Sequence, residues 1–221
     1  MTTVWLIDFD DTLASGPVTW GIRRALPRLI QAHHLPLDPD ALAQALLVAQ
    51  EQSNEPVDID LGAIVEAFFD RMGWPAHLGD ALLQDVNDNY APELFDDAPA
   101  FLEGLRRAGH AAFILSNNPR TPAHAAQLGL TEQVAAVVTP HMLPGAGPKP
   151  ERSLWDSLAE RFPQVAHGGA VVVGDDPWSD LAFARASGLP AWLLDRDDRF
   201  GGLDLGPDAR RVRSLADIPL D

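Results

Sequence analysis

Asp8 and Asp10 stand two residues apart where the apolar run Val4-Trp-Leu-Ile gives way to Asp-Phe-Asp-Asp-Thr-Leu. An acidic pair at the end of a buried strand lies at the edge of a sheet, the usual address of α/β active sites. Two carboxylates this close repel, so a cation or a proton must come between them. Alone, such a pair could equally cap a helix or shape a turn. The rest of the chain supplies partners. Ser116 and Asn117 follow the apolar run Ala111–Leu115, and Asp175, Asp176 and Asp180 follow Ala170–Val173. Lys149 is the only lysine beside fifteen arginines, which raises the question of why arginine would not serve there. Carboxylates at this density suit a hard divalent cation, and Mg²⁺ prefers one or two carboxylates completed by water and phosphate oxygens. A metal, a lysine, a serine and helix N-termini converging on one point would suit a phosphoryl group.

These groups converge only if the intervening chain folds as a parallel sheet. Strand-like runs at Ala111–Leu115, Val134–Thr139, Ala170–Val173 and Ala191–Leu194 alternate with helix-like segments. The helices are expected after Thr121-Pro122, from Pro150 to about Phe162, and over Leu181–Ser187, where Gly188 stops the last one. Fully apolar strands alternating with helices predict a Rossmann-like parallel sheet flanked by helices on both faces. Residues 14–95 break the rhythm and carry helical patterns, roughly Pro39–Gln52, Val57–Met72 and Leu78–Asn89. An earlier pattern, with Ile22, Ala25, Leu26, Leu29 and Ile30 on one face, contains Pro27, which should kink or split it. The expected organisation is a discontinuous core, residues 1–13 and 96–221, with a small all-helical cap domain over 14–95 inserted after the first strand. The tail from Arg196 reads as loosely organised.

Composition narrows the partners. A net charge of −16 on 221 residues repels nucleic acid and anionic membrane on average. An anionic substrate would therefore need local positive charge. No apolar stretch is long enough to span a membrane and no basic segment precedes the first apolar run, so a cytoplasmic location is expected. With no cysteine, disulfides, thiolate nucleophiles and zinc–sulfur sites are excluded. The seven histidines show no supported metal-ligand spacing, and Trp155 and Trp178 read as packing residues. Oligomeric state is not legible.

Four segments carry a resemblance. Asp8-Phe-Asp-Asp-Thr-Leu, Phe113-Ile-Leu-Ser-Asn, Lys149-Pro and Gly174-Asp-Asp-Pro-Trp-Ser-Asp, in that order, resemble the four motifs of the haloacid dehalogenase superfamily. The inserted helical segment is similar to that of its phosphoglycolate-phosphatase-like branch. The resemblance implies a Mg²⁺-dependent phosphatase acting on a small phosphorylated metabolite through an aspartyl-phosphate. Asp8 would be the nucleophile and Asp10 the general acid and base. Ser116, the Asn117 N–H and Lys149 would hold the phosphoryl group. Asp8, the Asp10 carbonyl and Asp175 would bind the metal, with Asp180 and Asp176 behind them. Dehalogenases of the superfamily keep neither the second aspartate nor the metal site. Phosphonatases need a cap lysine, and residues 14–95 contain none. A phosphomutase shares all four motifs and stays open. Outside the class, a receiver-like signalling module is disfavoured by motif order, and a catalytically silent binding protein by the intact motifs. For the cap, Trp20, Arg24 and Arg28 recur every four residues. Trp20 is expected to pack on the leaving group and Arg24 to offset a second anionic group, against the alternative of a solvated face.

Overall fold

The computed structural model describes residues 2–53, 61–167 and 169–220, and the chain divides into two compact units, residues 1–15 with 93–221 and residues 16–92. In the first unit the described residues form a six-stranded sheet: β1 Val4–Ile7, β2 Ala111–Leu115, β3 Ala136–Val138, β4 Ala170–Gly174, β5 Ala191–Leu194 and β6 Ala209–Val212. Every pairing is parallel, in the order β3-β2-β1-β4-β5-β6. The chain winds outward from β1 to β3 and then returns to β4 on the other side of β1. The β1/β4 seam is therefore the point where the order reverses, and in such sheets ligands bind just beyond it.

Alternation within the strands fills both faces. Trp5, Ile7 and Phe9 join Ala112 and Ile114 in one buried cluster with Phe101, Leu102 and Leu105 of the helix Ala98–Arg107. Val4, Leu6, Phe113, Leu115 and Val172 form the opposite cluster with Leu154 and Leu158 of the helix Arg152–Arg161. A sheet covered on both sides needs apolar residues at every strand position, which is why these strands read as unbroken hydrophobic runs.

The sixth strand departs from the sequence expectation. Ala209–Val212 pairs with β5 inside the tail that reads as irregular. It lies at the sheet edge and carries Arg210 and Arg211, and a charged edge strand shows no apolar run. Arg196, just after β5, explains further order in this region. Its guanidinium makes two bonds to Asp97 (2.8 and 2.9 Å), donates to the Thr12 carbonyl (3.0 Å) and stacks 4.2 Å from the Phe95 ring centre. Asp97 also accepts from the Ser214 hydroxyl (2.6 Å) and the Leu215 N–H (2.9 Å). One ion pair thus joins the turn after β1, the segment entering the helix Ala98–Arg107, the β5 exit and the C-terminal turn.

Where the chain leaves and re-enters this unit, two segments run side by side. Ser15 N–H donates to the Glu93 carbonyl (2.9 Å), Glu93 N–H donates to the Ser15 hydroxyl (3.1 Å), and Ala14 bridges Leu94 in antiparallel fashion.

The second unit is helical: Pro17–Trp20 running through Gly21–Ala25 into Leu26–His33, then Pro39–Ser53, Leu61–Met72 and His77–Asn89. Part of the helix expected over Val57–Met72 lies outside the described residues. The disruption expected at Pro27 takes the form of a π turn over Gly21–Ala25, closed by the Leu26 N–H on the Gly21 carbonyl. Proline lacks an N–H and crowds the carbonyl four residues back, and widening one turn accommodates both faults without breaking the helix. The core of this unit is aromatic. Phe68, Phe69 and Trp74 meet edge to face at 5.6–5.8 Å, and Trp74 Nε1 donates to the Pro36 carbonyl (3.0 Å).

Candidate active site

The turn after β1 fixes the acidic pair. Asp8 N–H donates to the Val173 carbonyl (2.8 Å), extending the β1/β4 pairing by one residue. Phe9 is fully buried on the opposite side, so Asp8 and Asp10 are directed away from that core cluster. The Leu13 and Ala14 N–H groups then close on the Phe9 carbonyl at 3.0 Å, which reverses the chain. Asp11 takes the left-handed conformation (φ 61°) that this tight reversal needs, one that aspartate tolerates better than most side chains.

Lys149 stands at the centre. Its Nζ donates to Asp8 Oδ1 and to Asp180 Oδ1, each at 2.6 Å, and the side chain is 3% exposed. Its backbone is clasped by the Asn117 amide, with Asn117 Nδ2 on the Lys149 carbonyl (3.0 Å) and the Lys149 N–H on Asn117 Oδ1 (2.8 Å). The sequence reading gave Asn117 a backbone role toward phosphate. In the structure its side chain also holds the loop that presents the lysine.

Asp180 owes its place to Gly174. A β-carbon at Gly174 would lie 2.1 Å from the Asp180 carboxyl, so only glycine leaves room for it. Asp180 lies in a second π turn, Pro177–Leu181, and its Oδ2 accepts the Asp176 N–H (3.2 Å). Asp176 caps that turn, its Oδ1 accepting from the Trp178 N–H (2.8 Å). Asp175 accepts from the Thr12 hydroxyl (3.3 Å), and its other oxygen lies 3.5 Å from the Arg199 guanidinium. Ser116 is buried, and its hydroxyl accepts the Asn118 N–H (3.1 Å). The Asn118 amide in turn donates to Asp10 Oδ2 (2.9 Å).

Three of the gathered side chains, Asp8, Asp175 and Asp180, offer oxygens within 4.8 Å of one another, and Lys149 is the ammonium among them. The imbalance shows in the proton affinities. Burial, then the neighbouring Asp180 and Asp10, push Asp8 up to about 8 although Lys149 pulls it down. Burial and the charges of Asp11, Asp8, Asp180 and Asp176 raise Asp175 well above the carboxylate range. Asp176 rises to about 6 through burial and Asp180, offset in part by the Trp178 N–H. Burial opposes the charge of Lys149, but Asp180 and Asp8 outweigh it and raise its affinity for the proton. Such a donor set calls for more positive charge than one ammonium supplies, and hard oxygen ligands fit a divalent cation.

Sequence reasoning missed Thr12 as a partner of Asp175, Arg199 beside the same carboxylate, and Asn118 on Asp10. The second asparagine of Ser116-Asn-Asn-Pro was a visible signal for the last. Trp20 belongs to the helical unit. Its ring is buried in the core of the helical unit, edge-on to Tyr90 at 5.9 Å, with Arg28 5.3 Å from its centre. Arg28 is paired with Asp85 (2.8 Å), and Arg24 is exposed.

A doubly wound sheet with buried carboxylates and an ammonium gathered beyond its switch point is the framework of a Rossmann-like hydrolase. The chain belongs to the haloacid dehalogenase-like hydrolases, whose family model matches residues 3–188. Solved structures agree on the fold. The magnesium-bound hydrolase YfnB from Bacillus subtilis superposes with a TM-score of 0.72 at 19% identity, covering 97% of this chain and 96% of that one. A phosphatase of the superfamily from Thermococcus onnurineus gives 0.59 at 22% identity, covering 98% and 95%. A 2-haloacid dehalogenase from Pseudomonas syringae gives 0.56 at 22%, covering 98% and 96%. No curated protein matches the chain significantly. Among the described residues no helix is long and apolar enough to cross a membrane.

Proposed function

We propose that the protein is a Mg²⁺-dependent phosphatase that hydrolyses a small phosphorylated metabolite through a phosphate ester on Asp8. The observation that carries this reading is the Lys149 ammonium held at 2.6 Å from both Asp8 and Asp180, beside the second carboxylate Asp10. Asp8, Asp175 and the Asp10 carbonyl would hold the cation, with Asp180 as a further oxygen of the cluster. Bound there, Mg²⁺ would offset the charge of phosphate oxygens and keep Asp8 ionised.

The remaining steps belong to the chain. An ionised Asp8 oxygen attacks phosphorus, and the bond to the leaving oxygen breaks as Asp10 donates its proton to it. Lys149, Ser116 and the Asn117 N–H meet the charge on the transferring group. Asp10, now ionised, takes a proton from water. That water's oxygen attacks the phosphorus on Asp8 and the Asp8–phosphorus bond breaks, releasing inorganic phosphate and regenerating the ionised Asp8 and the protonated Asp10. Asp176 fits a structural duty, since its carboxylate is engaged in capping the turn that carries Asp180. The dehalogenase reading would leave Asp10 and Asp175 without a task.

The direct test is turnover of 4-nitrophenyl phosphate with Mg²⁺. Asp8→Asn keeps the shape and removes the attacking charge, so the rate should fall at least about 10³-fold. Asp10→Asn should slow turnover yet still allow a phosphoryl mass to accumulate on Asp8. An Asp8→Asn protein keeping a tenth of the wild-type rate would refute the mechanism.

A further inference from the structure

Asn118 is bound on three sides. Its backbone N–H donates to Ser116 Oγ (3.1 Å), its Oδ1 accepts the Arg120 N–H (2.9 Å), and its Nδ2 donates to Asp10 Oδ2 (2.9 Å). These bonds settle the amide orientation. A backbone N–H can only donate, so the oxygen must face Arg120 and the NH₂ must face Asp10. A flipped amide would set oxygen against carboxylate and N–H against N–H, losing both bonds. Among the described residues this amide is a side-chain link between the β2 exit, which carries Ser116, and the β1 exit, which carries Asp10.

We propose that Asn118 is a positioning residue for Asp10, fixing which of its two oxygens exchanges the proton with the leaving group. The inference rests on the phosphatase reading and deepens it. A carboxyl group turns easily about its terminal torsion, which has a broad, roughly twofold profile. Asn118 removes that freedom by holding Oδ2 against an N–H. A proton on Oδ2 would place O–H against N–H, so the acid form carries its proton on Oδ1. The same oxygen then takes the proton back from water in the second half of the reaction. Asn118 touches neither the substrate nor phosphorus in this account. It acts by keeping one oxygen of Asp10 in one place.

The consequence is a leaving-group effect. An activated leaving group departs as an anion and needs no acid, whereas a poor one depends on Asp10. The experiment measures kcat/KM for a series of aryl phosphates of graded leaving-group acidity, from 4-nitrophenyl to unsubstituted phenyl phosphate. It compares wild type, Asn118→Asp and Asn118→Ala. Asn118→Asp keeps the acceptor for the Arg120 N–H, and with it the loop, but presents no donor to Asp10. Asn118→Ala removes both. General acid catalysis contributes roughly 10²- to 10⁴-fold, and misplacing the acid should forfeit part of it. In Asn118→Asp, phenyl phosphate should lose about 30-fold more than 4-nitrophenyl phosphate, so the dependence on leaving-group acidity steepens. A merely structural role would lower all substrates together and leave the slope unchanged. An unchanged slope in both variants, with an active wild type, overturns the role of Asn118 alone. A wild type inert toward every ester overturns the phosphatase reading and this inference with it.

Discussion

Replacing Asp97 with asparagine should weaken the fold by an amount that depends on pH in a defined way. The Asp97 carboxylate accepts two bonds from Arg196, one from the Ser214 hydroxyl and one from the Leu215 N–H. Burial alone would raise its pKa, but these donors and the Arg196 charge bring it down from 3.8 to about 2. At about 1.4 kcal/mol per unit, that depression corresponds to about 2.4 kcal/mol of stability in the ionised form. The side chain keeps some contact with water, and screening reduces the figure to about 1–2 kcal/mol. Because the folded-state pKa lies below the unfolded one, the contribution is fully present above about pH 5 and is lost as pH falls through 4 toward 2. By pH 3 nearly half, roughly 1 kcal/mol before screening, should be gone. Urea unfolding of wild type and Asp97→Asn at pH 7, 4 and 3 measures this directly. The variant should be about 1–2 kcal/mol weaker at pH 7, with a gap that narrows toward pH 3. A deficit that stays constant over that range would show that Asp97 acts through shape alone, and no deficit at pH 7 would refute the network's importance.

Two further outcomes follow from the acidic cleft. Lys149→Arg should lose most activity although charge is kept, because a planar, longer guanidinium cannot replace an ammonium held at 2.6 Å from two carboxylates in a buried pocket. A near-wild-type rate would reduce Lys149 to diffuse charge. Mg²⁺ should raise the thermal midpoint more at pH 8.5 than at pH 6. Below about 8 a proton on Asp8 competes with the cation, and above it the ionised cluster is left repelling itself. A shift equal at both pH values, or none, would argue against a cation on these oxygens.

How much of this was legible follows from where each signal resides. β2 and β5 appear in the sequence with their observed ends because a strand buried on both faces must be apolar throughout. β6 was not legible, since an edge strand bearing Arg210 and Arg211 resembles a polar loop until β5 is beside it. Lys149 stood out as the lone lysine, and the pocket gives a reason: two carboxylates close on a single nitrogen. Asn118, Thr12 and Arg199 were hidden for a different cause. Their meaning lies in partners 108, 163 and 24 residues away, and no local pattern marks which asparagine or arginine will meet an aspartate after the sheet closes. The spacing of Trp20, Arg24 and Arg28 identifies a helical face without saying what that face packs against.

The paired segments at Ser15 and Glu93 give the excursion of residues 16–92 an architectural meaning. Its two ends are already hydrogen-bonded to each other, so to the sheet the whole excursion is equivalent to a hairpin loop. The entropy of closing a loop grows only with the logarithm of its length, so a long excursion costs the sheet little more than a short one. A doorway of this kind tolerates exchange. Helices of other lengths and surfaces could be threaded between Ser15 and Glu93 while the strand ends bearing Asp8 and Asp175, and the loop bearing Lys149, stay in place. Diversity of substrate and constancy of chemistry would then be assigned to separate stretches of one chain, joined by a few hydrogen bonds.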